Sequence, residues 1–164
     1  MPDRQMDYNA ILFEAGCGRS VIAHCNRVRD LSGRYAEKIV VADKTKVEAG
    51  AALHDIGRGM THSLHHAQRG ADYCRRLGLP EDIARIVECH TGAGLTADEC
   101  TLLGLLPVDC MPQSIEEKIV ANADNLVRGQ HIISVWERLS RSYALPKKIR
   151  RRIWHLWLEM EQWC

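Results

Sequence analysis

Residues 51–70 read AALHDIGRGMTHSLHHAQRG and hold four of the chain's eight histidines. Asp55 directly follows the first of these histidines, and three glycines interrupt the segment. A stretch this rich in imidazole can be a solvated surface, a metal site or a pH sensor. The residues that share a helix face with these histidines, and the polar residues elsewhere in the chain, decide among the three.

The composition describes an ordinary globular chain. Its 164 residues suffice for one domain with its own core. The formal net charge of +1 gives no overall attraction to nucleic acid or to a membrane. The N-terminus, MPDRQMDYNA, lacks the apolar centre of a signal peptide, and no apolar run is long enough to span a bilayer. Seven cysteines without a Cys-x-x-Cys pair favour reduced thiols, so we expect a soluble cytoplasmic protein.

Apolar spacing predicts helices nearly throughout the chain. Val21, His24, Val28, Leu31 and Tyr35 recur at intervals of three and four, as on one face of a long helix. Capping boxes at 45–48, 96–99 and 114–117 mark three helix starts. The predicted helices are 8–15, 20–41, 45–57, 63–77, 80–90, 114–128, 131–143 and the segment after Pro146. No stretch alternates with a period of two for long, so the prediction is an all-α bundle.

Polar side chains interrupt the apolar faces of four of these helices. One imidazole or carboxylate points inward from each: His24, His54, His90 and Asp124. Asp55 adds a second carboxylate beside His54. A single buried histidine is usually structural, but burying an ionised carboxylate alone costs several kcal/mol, so these groups together predict a shared metal centre. Nitrogen and oxygen ligands without a thiolate suit Mn, Fe, Co, Ni or Zn, with Mg as a further option, better than Ca.

The order His24, His54-Asp55, Asp124 resembles the HD-domain metal-dependent phosphohydrolase superfamily, and HDIG at 54–57 matches a subgroup signature. His66-x-x-x-Gly70 and His90-Thr-Gly-Ala-Gly look like the two further histidines of binuclear members. The resemblance runs from about residue 9 to 128 and is closest to a small, mainly archaeal HDIG family, some of whose relatives are fused to a tRNA methyltransferase.

This resemblance implies an HD-type single domain, with the C-terminal helices of about 131–164 docked on the core. His24, His54, Asp55 and Asp124 would form the primary metal site, and Asp55 would bridge two ions. His66 and His90 would bind the second ion. The sequence TGAGL after His90 lacks the Gly-Tyr-Pro signature of the cyclic-dinucleotide subgroup, which disfavours cyclic di-GMP as the substrate.

Such a site is suited to hydrolysis of a phosphate ester, because the metal acidifies bound water and neutralises phosphoryl oxygens. Arg58 is a candidate for binding phosphate in a bidentate manner, or it is a surface charge. Lys118 lies six residues before Asp124, about 120° around the helix, and is a weaker candidate for substrate contact. His62 either contacts phosphate or transfers a proton, or it is a solvated loop residue. His65 lies on a polar stripe and should face solvent.

The C-terminal segment PKKIRRRIWHLWLEMEQWC carries five basic residues within 147–152. These residues form either an RNA- or phosphate-binding patch or a solvated helix face. Trp154 and Trp157 should dock on the bundle or build a homodimer contact.

The function that these observations favour is a phosphohydrolase acting on a nucleotide or another small phosphorylated metabolite, with no membrane partner. A non-catalytic module that binds metal and nucleotide, as a sensor or an RNA-processing accessory, is the alternative from another class. A di-iron oxygenase is the third, since it uses the same order of ligands.

Overall fold

The computed structural model describes residues 6–164. Within this range the chain is mostly helical, and no helix combines the length and the apolarity needed to cross a membrane. The elements in chain order are α1 (Tyr8–Glu14), α2 (Arg19–Lys38), α3 (Lys44–Leu53), a 3-10 helix (Ile56–Gly59), α4 (His66–Arg76), α5 (Glu81–Glu88), α6 (Ala97–Leu102), α7 (Ile115–Asn125), β1 (Val127–Arg128), β2 (His131–Ile132), α8 (Val135–Ser140) and α9 (Lys147–Glu161).

Two apolar clusters hold the bundle together, and α2 and α3 contribute to both. The larger cluster joins these helices to α7 and α9 through fully buried Val28, Val47, Ile119 and Ile153. The smaller cluster packs α1, α4 and α5 against them. Cys25 and Cys89, each next to a candidate metal-binding histidine in the sequence, are fully buried. The predicted all-α bundle is confirmed, and α2 and α3 are its central pair.

Several predicted boundaries were wrong for identifiable reasons. The start of α3 is capped by Asp43, whose Oδ1 accepts from the amides of Thr45 and Lys46 at 3.0 and 3.2 Å, and not by Thr45. Helix α2 ends at Lys38, and α3 ends at Leu53. The capping box of Thr96 and Glu99 is confirmed. Ser114 does cap α7, but the Glu117 carboxylate accepts from the Gln113 amide instead of closing the box.

A short β-hairpin replaces the predicted helical ends around residue 128. Helix α7 ends at Asn125, and Val127 and Arg128 pair antiparallel with Ile132 and His131. Gly129 has φ +60°, a conformation that favours glycine and closes the turn. Each strand has two residues, which is too short for a period-two pattern to show in the sequence.

Gly57 and Gly70 bring the 3-10 helix into backbone contact with α4. A Cβ atom on Gly57 would lie 1.8 Å from the His66 carbonyl oxygen and 2.9 Å from the Gly70 nitrogen. A Cβ atom on Gly70 would lie 3.0 Å from the Gly57 nitrogen. Only glycine therefore fits at position 57, and this contact fixes His66 relative to the His54-Asp55 pair that precedes Gly57.

Replacing Gly57 by alanine should separate the two backbones and destabilise the protein. We expect Gly57→Ala to lower the free energy of unfolding by about 3 kcal/mol, the upper end of overpacking costs, because the obstacle is backbone rather than a movable side chain. Gly33→Ala, with no atom within 4 Å of its Cβ position in the middle of α2, is the control. Chemical denaturation of both variants checks this. Equal stabilities would contradict it.

Glu99 ties α6 to the basic start of α9. Its carboxylate accepts from Arg152 at 2.9 and 3.1 Å and from the Thr96 amide at 2.9 Å, and Lys148 lies 2.9 Å away. The hydrogen bonds from Arg152 hold the pKa of Glu99 well below its usual range. Two of the five basic residues at 147–152 thus bind an acidic partner within the chain. Trp154 and Trp157 pack against the larger core cluster.

Removing the charge of Glu99 should loosen α9. We expect Glu99→Gln to cost about 2 kcal/mol near neutral pH, the range for charged hydrogen bonds. Because folding depresses the pKa of Glu99, the contribution is fully present above about pH 4.5 and is lost as the pH falls toward the folded-state value. The stability difference from the wild type, measured by denaturation between pH 3 and 7, should therefore shrink in acid. Asp72→Asn, in an exposed pair with Arg76, should change stability by about 0.5 kcal/mol or less. A pH-independent difference for Glu99→Gln would contradict the assignment.

Candidate metal centre

Four imidazoles and two carboxylates converge where five helices approach one another. His24 lies in α2, His54 and Asp55 follow α3, His66 begins α4, His90 follows α5, and Asp124 lies near the end of α7. All six side chains proposed from the sequence as metal ligands are therefore brought together. All four histidines lie within 3.8 Å of a carboxylate oxygen of Asp55 or Asp124, and the shortest of these distances, 2.9 Å, joins His24 Nε2 to Asp124 Oδ1.

Every one of the four histidines binds a backbone carbonyl through Nδ1. His54, His66 and His90 each donate to the residue three positions earlier: Ala51, Ser63 and Val87, at 2.8, 2.8 and 2.6 Å. His24 donates to Gly129 in the hairpin turn at 2.8 Å. A carbonyl only accepts, so Nδ1 carries a proton in each ring, and Nε2 presents a lone pair to the cluster when the ring is neutral. This is how metal-binding histidines are oriented in proteins.

The Nε2 atoms face each other and the carboxylates. His66 Nε2 lies 3.1 Å from His90 Nε2, a contact in which two neutral rings of this tautomer would oppose their lone pairs. His54 Nε2 is buried and has no hydrogen-bond partner among residues 6–164. A buried polar atom without a partner is costly, and a cation between these groups would remove that cost. The six side chains therefore fit a divalent transition ion.

Asp55 presents its two oxygens to different pairs of histidines. Oδ1 lies 3.2 Å from His66 Nε2 and 3.4 Å from His90 Nε2. Oδ2 lies 3.8 Å from His24 Nε2 and 3.7 Å from His54 Nε2. Two groups of ligand atoms lie close enough to share an ion: one from His24, His54 and Asp124, the other from His54, Asp55 and His90. A carboxylate with this arrangement fits a bridge between two ions.

The charges of the site agree with this arrangement. Burial raises the pKa of Asp55, but the charge of His54 and the hydrogen bonds of His66 and His90 outweigh it and hold the pKa well below its usual range. The same balance, with His54 and His24 as partners, lowers the pKa of Asp124. Burial lowers the pKa of His90, which keeps that ring neutral. The centre thus offers two ionised carboxylates and a neutral His90 imidazole, and metal binding would require the other ligand imidazoles to be neutral as well.

The predicted catalytic residues outside the metal cluster have different positions. Arg58 lies at the rim, with Nε 3.4 Å from Asp55 Oδ1 and Nη1 donating to the His62 carbonyl at 2.7 Å. The His62 side chain is exposed in the loop before α4. Lys118 is not brought to the cluster: its Nζ lies 2.7 Å from Glu159 Oε1 on α9, a partner that helix geometry alone did not reveal.

His65 is half-buried and was wrongly predicted to face solvent. Its Nε2 lies 3.2 Å from the Gly104 carbonyl oxygen and its Nδ1 lies 3.1 Å from Ser63 Oγ. The helical stripe used to place it does not apply, because α4 begins at His66 and His65 is its cap. It therefore ties the loop before α4 to the loop after α6.

Sequence reasoning missed the residues that support the cluster from a distance. The Gly129 carbonyl holds His24 across 105 positions of chain. Asn125 Nδ2 donates to the Gly92 carbonyl, in the loop after His90, at 2.8 Å. Arg138 Nε donates to Asn125 Oδ1 at 3.1 Å. For the bond between His24 and Gly129, the sequence offered one signal, a glycine next to a predicted helix end. Helical periodicity gives no signal for the bonds of Asn125 and Arg138.

The chain is similar in sequence to a known protein family and to individual proteins. The family model described as HD domain matches residues 21–129. An uncharacterized protein of Methanocaldococcus jannaschii is 42% identical over 127 residues, covering 73% of each chain. The tRNA (cytidine(56)-2'-O)-methyltransferase of Picrophilus torridus is 45% identical over 115 residues, which are 70% of this chain and 33% of that enzyme. This chain thus matches about a third of the length of the methyltransferase.

A solved structure shows the same fold at low sequence identity. The HD domain of the L. monocytogenes phosphodiesterase PgpH superimposes with a TM-score of 0.58 at 14% identity, covering 96% of this chain and 98% of that one. A crystal structure of the same domain in complex with cyclic-di-AMP superimposes with a TM-score of 0.57 at 15% identity, covering 96% of each chain. The matched segment 21–129 contains all six converging side chains and covers well over half of the sequence. The chain therefore belongs to the HD-domain family.

Proposed function

We propose that the protein is a metal-dependent phosphohydrolase that cleaves a phosphate ester of a nucleotide or another small phosphorylated metabolite. The observation that carries the proposal is the Asp55 carboxylate, which faces one pair of imidazoles with each oxygen. We further propose His24, His54, Asp55 and Asp124 as the primary ligands of a divalent transition ion, with His66 and His90 for a second ion. An ion held by these residues would supply Lewis-acid chemistry: it would polarise a phosphoryl oxygen and lower the pKa of water toward neutrality.

The protein's own residues supply orientation and charge. The four carbonyl-bound Nδ1 atoms hold the imidazoles in place, so little reorganisation is needed when the centre is charged. Arg58 is fixed at the rim by Asp55 and the His62 carbonyl, where its remaining N–H groups can donate to a phosphate. The exposed His62 imidazole beside it is our candidate for protonating the leaving oxygen. Lys118 has no part in this proposal, since Glu159 binds its ammonium group.

The compared proteins support a phosphate-containing substrate. One structural neighbour is called a phosphodiesterase and binds cyclic-di-AMP, and one sequence relative is called a tRNA methyltransferase. The latter name favours the alternative that this HD domain serves RNA processing without catalysis. We propose that the HD core spans about 9–128, with the C-terminal helices docked on it. We also propose that the protein works in the cytoplasm, where its seven free cysteines would stay reduced.

Protein purified without added metal should contain two divalent ions per chain. We expect His66→Ala to remove one ion, because the Oδ1 side of Asp55 loses a ligand while the Oδ2 side keeps His24 and His54. His155→Ala, at an exposed position of α9, should keep both ions. Elemental analysis gives the count, and chelation should lower the melting temperature of the wild type. One ion in the wild type, or an unchanged count in His66→Ala, would contradict the two-ion centre.

Metal-loaded protein should release product from at least one member of a panel of nucleotides and phosphate esters. Asp55→Asn should reduce kcat/KM by about 10³-fold or more, because the change removes the bridging charge. Asp72→Asn on the exposed face of α4 is the matched control and should retain wild-type rates.

The same assay separates the alternatives. Nucleotide binding without turnover under any of the metals Mn, Fe, Co, Ni, Zn and Mg would favour the non-catalytic module. Oxygen consumption with ferrous iron would favour the oxygenase. Turnover that survives Asp55→Asn would place the reaction outside this centre.

A further inference from the structure

A cavity of about 250 Å³ opens beside Asp124, between the β-hairpin and α8. Arg128 lines it from β1, and Arg138 and Arg141 line it from α8. A neighbouring open groove along the hairpin shares Arg128 and Ile133 with this cavity. The cavity is smaller than the roughly 300–1,000 Å³ of pockets that enclose whole ligands, so it fits part of a ligand.

The lining of this cavity is strongly cationic. Three arginines face one carboxylate, Asp124, which already lies 2.9 Å from His24 Nε2. Arg141 binds Glu137 in an exposed pair, with Nε and Nη2 at 3.1 and 3.0 Å from Oε1. Arg138 is half-buried, and no carboxylate in the described part of the chain lies within ion-pair distance of it. A partly buried guanidinium without an acidic partner is costly to retain and is typical of an anion site.

Arg138 is also held in one orientation. Its Nε donates to Asn125 Oδ1, and its Nη1 donates to Ser142 Oγ. Asn125 is itself anchored to the Gly92 carbonyl and directly follows Asp124. The guanidinium is therefore fixed to the helix turn that carries a proposed metal ligand, and a rigid fork of this kind suits phosphate.

We propose that Arg138 and Arg141 bind a second phosphate group of the substrate, next to the phosphate that reacts at the metal centre. This inference rests on the proposed function and restricts its substrate to molecules that carry at least two phosphate groups. Two sources share this chemistry, the diphosphate of a nucleotide and the backbone of an oligonucleotide. Ile133, Arg138 and Arg141 lie beyond residues 21–129, so the subsite belongs to the part of the chain outside the HD-family match.

Binding of hydrolysis-resistant ligands to the full-length, Mn²⁺-loaded protein tests the proposal by calorimetry. The one-phosphate probe is adenosine 5'-phosphorothioate. The two-phosphate probes are adenosine 5'-(α,β-methylene)diphosphate and a 5'-thiophosphorylated, phosphorothioate-linked adenosine dinucleotide. The measured quantity is the ratio of the affinity for each two-phosphate probe to that for the one-phosphate probe.

We expect Arg138→Gln to lower this ratio at least about tenfold and Arg141→Gln about threefold, since Arg141 already shares its charge with Glu137. Arg138→Lys should recover part of the loss, because it restores charge without the fork. Arg76→Gln, which breaks an exposed i,i+4 pair with Asp72 of the same kind as the pair of Arg141 with Glu137, should keep the wild-type ratio. If Arg138→Gln weakens binding of the methylene diphosphate more, the second phosphate belongs to the diphosphate of a nucleotide. If it weakens binding of the dinucleotide more, the second phosphate belongs to an oligonucleotide backbone.

An unchanged ratio in folded Arg138→Gln and Arg141→Gln proteins would overturn the subsite. Arg138→Gln loses hydrogen bonds to Asn125 and Ser142, and if this variant fails to fold, Arg141→Gln is the test. Among the described residues, the Arg141 guanidinium donates hydrogen bonds to Glu137 alone. These probes require no turnover, so a lowered affinity ratio in the variants tests the phosphate subsite separately from hydrolysis. If the wild-type protein hydrolyses a substrate and both variants keep the wild-type ratio, the subsite is refuted and the proposed hydrolase function stands.

Discussion

The rest of the structure depends on one constraint, which is that Asp55 and Asp124 stay ionised inside a helical bundle. Neither could remain ionised among apolar side chains, since the cost of desolvation would protonate it or unfold the protein. The helices therefore meet where they can supply histidines, and the hydrogen bonds and charges of these histidines lower both pKa values. The two apolar clusters lie around this polar centre, and α2 and α3 belong to both.

Backbone carbonyls fix the orientation of the imidazoles in this centre. Three of the four imidazoles bind the carbonyl three residues earlier, so the end or the start of a helix orients the ring with local geometry alone. The contact between Gly57 and Gly70 then brings His66 to the His54-Asp55 pair without any intervening side chain. The orientation of these imidazoles thus follows from main-chain features, and it depends on glycine at position 57.

The sequence predicted the centre better than its surroundings. His24, His54, His90 and Asp124 could be identified because each occupies an apolar stripe, and helical periodicity reports which face is buried. Periodicity reports nothing about partners distant in sequence. It therefore missed the bond of Lys118 to Glu159 and that of His24 to Gly129, and it extended α7 to residue 128, into the first strand of the hairpin. The start of α3 failed because Asp43 and Thr45 are both good caps, and only the backbone conformation chooses between them.

The Gly129 carbonyl has a consequence beyond orienting one ring. The turn whose carbonyl accepts the hydrogen bond from His24 Nδ1 also connects the two strands that border the arginine-lined cavity and the groove beside it. The cavity and the cluster therefore share this hairpin as well as Asp124, which belongs to both. If a ligand displaced the hairpin and so changed the affinity for an ion at the cluster, the ion would change the affinity for that ligand by the same factor, because thermodynamic linkage is reciprocal.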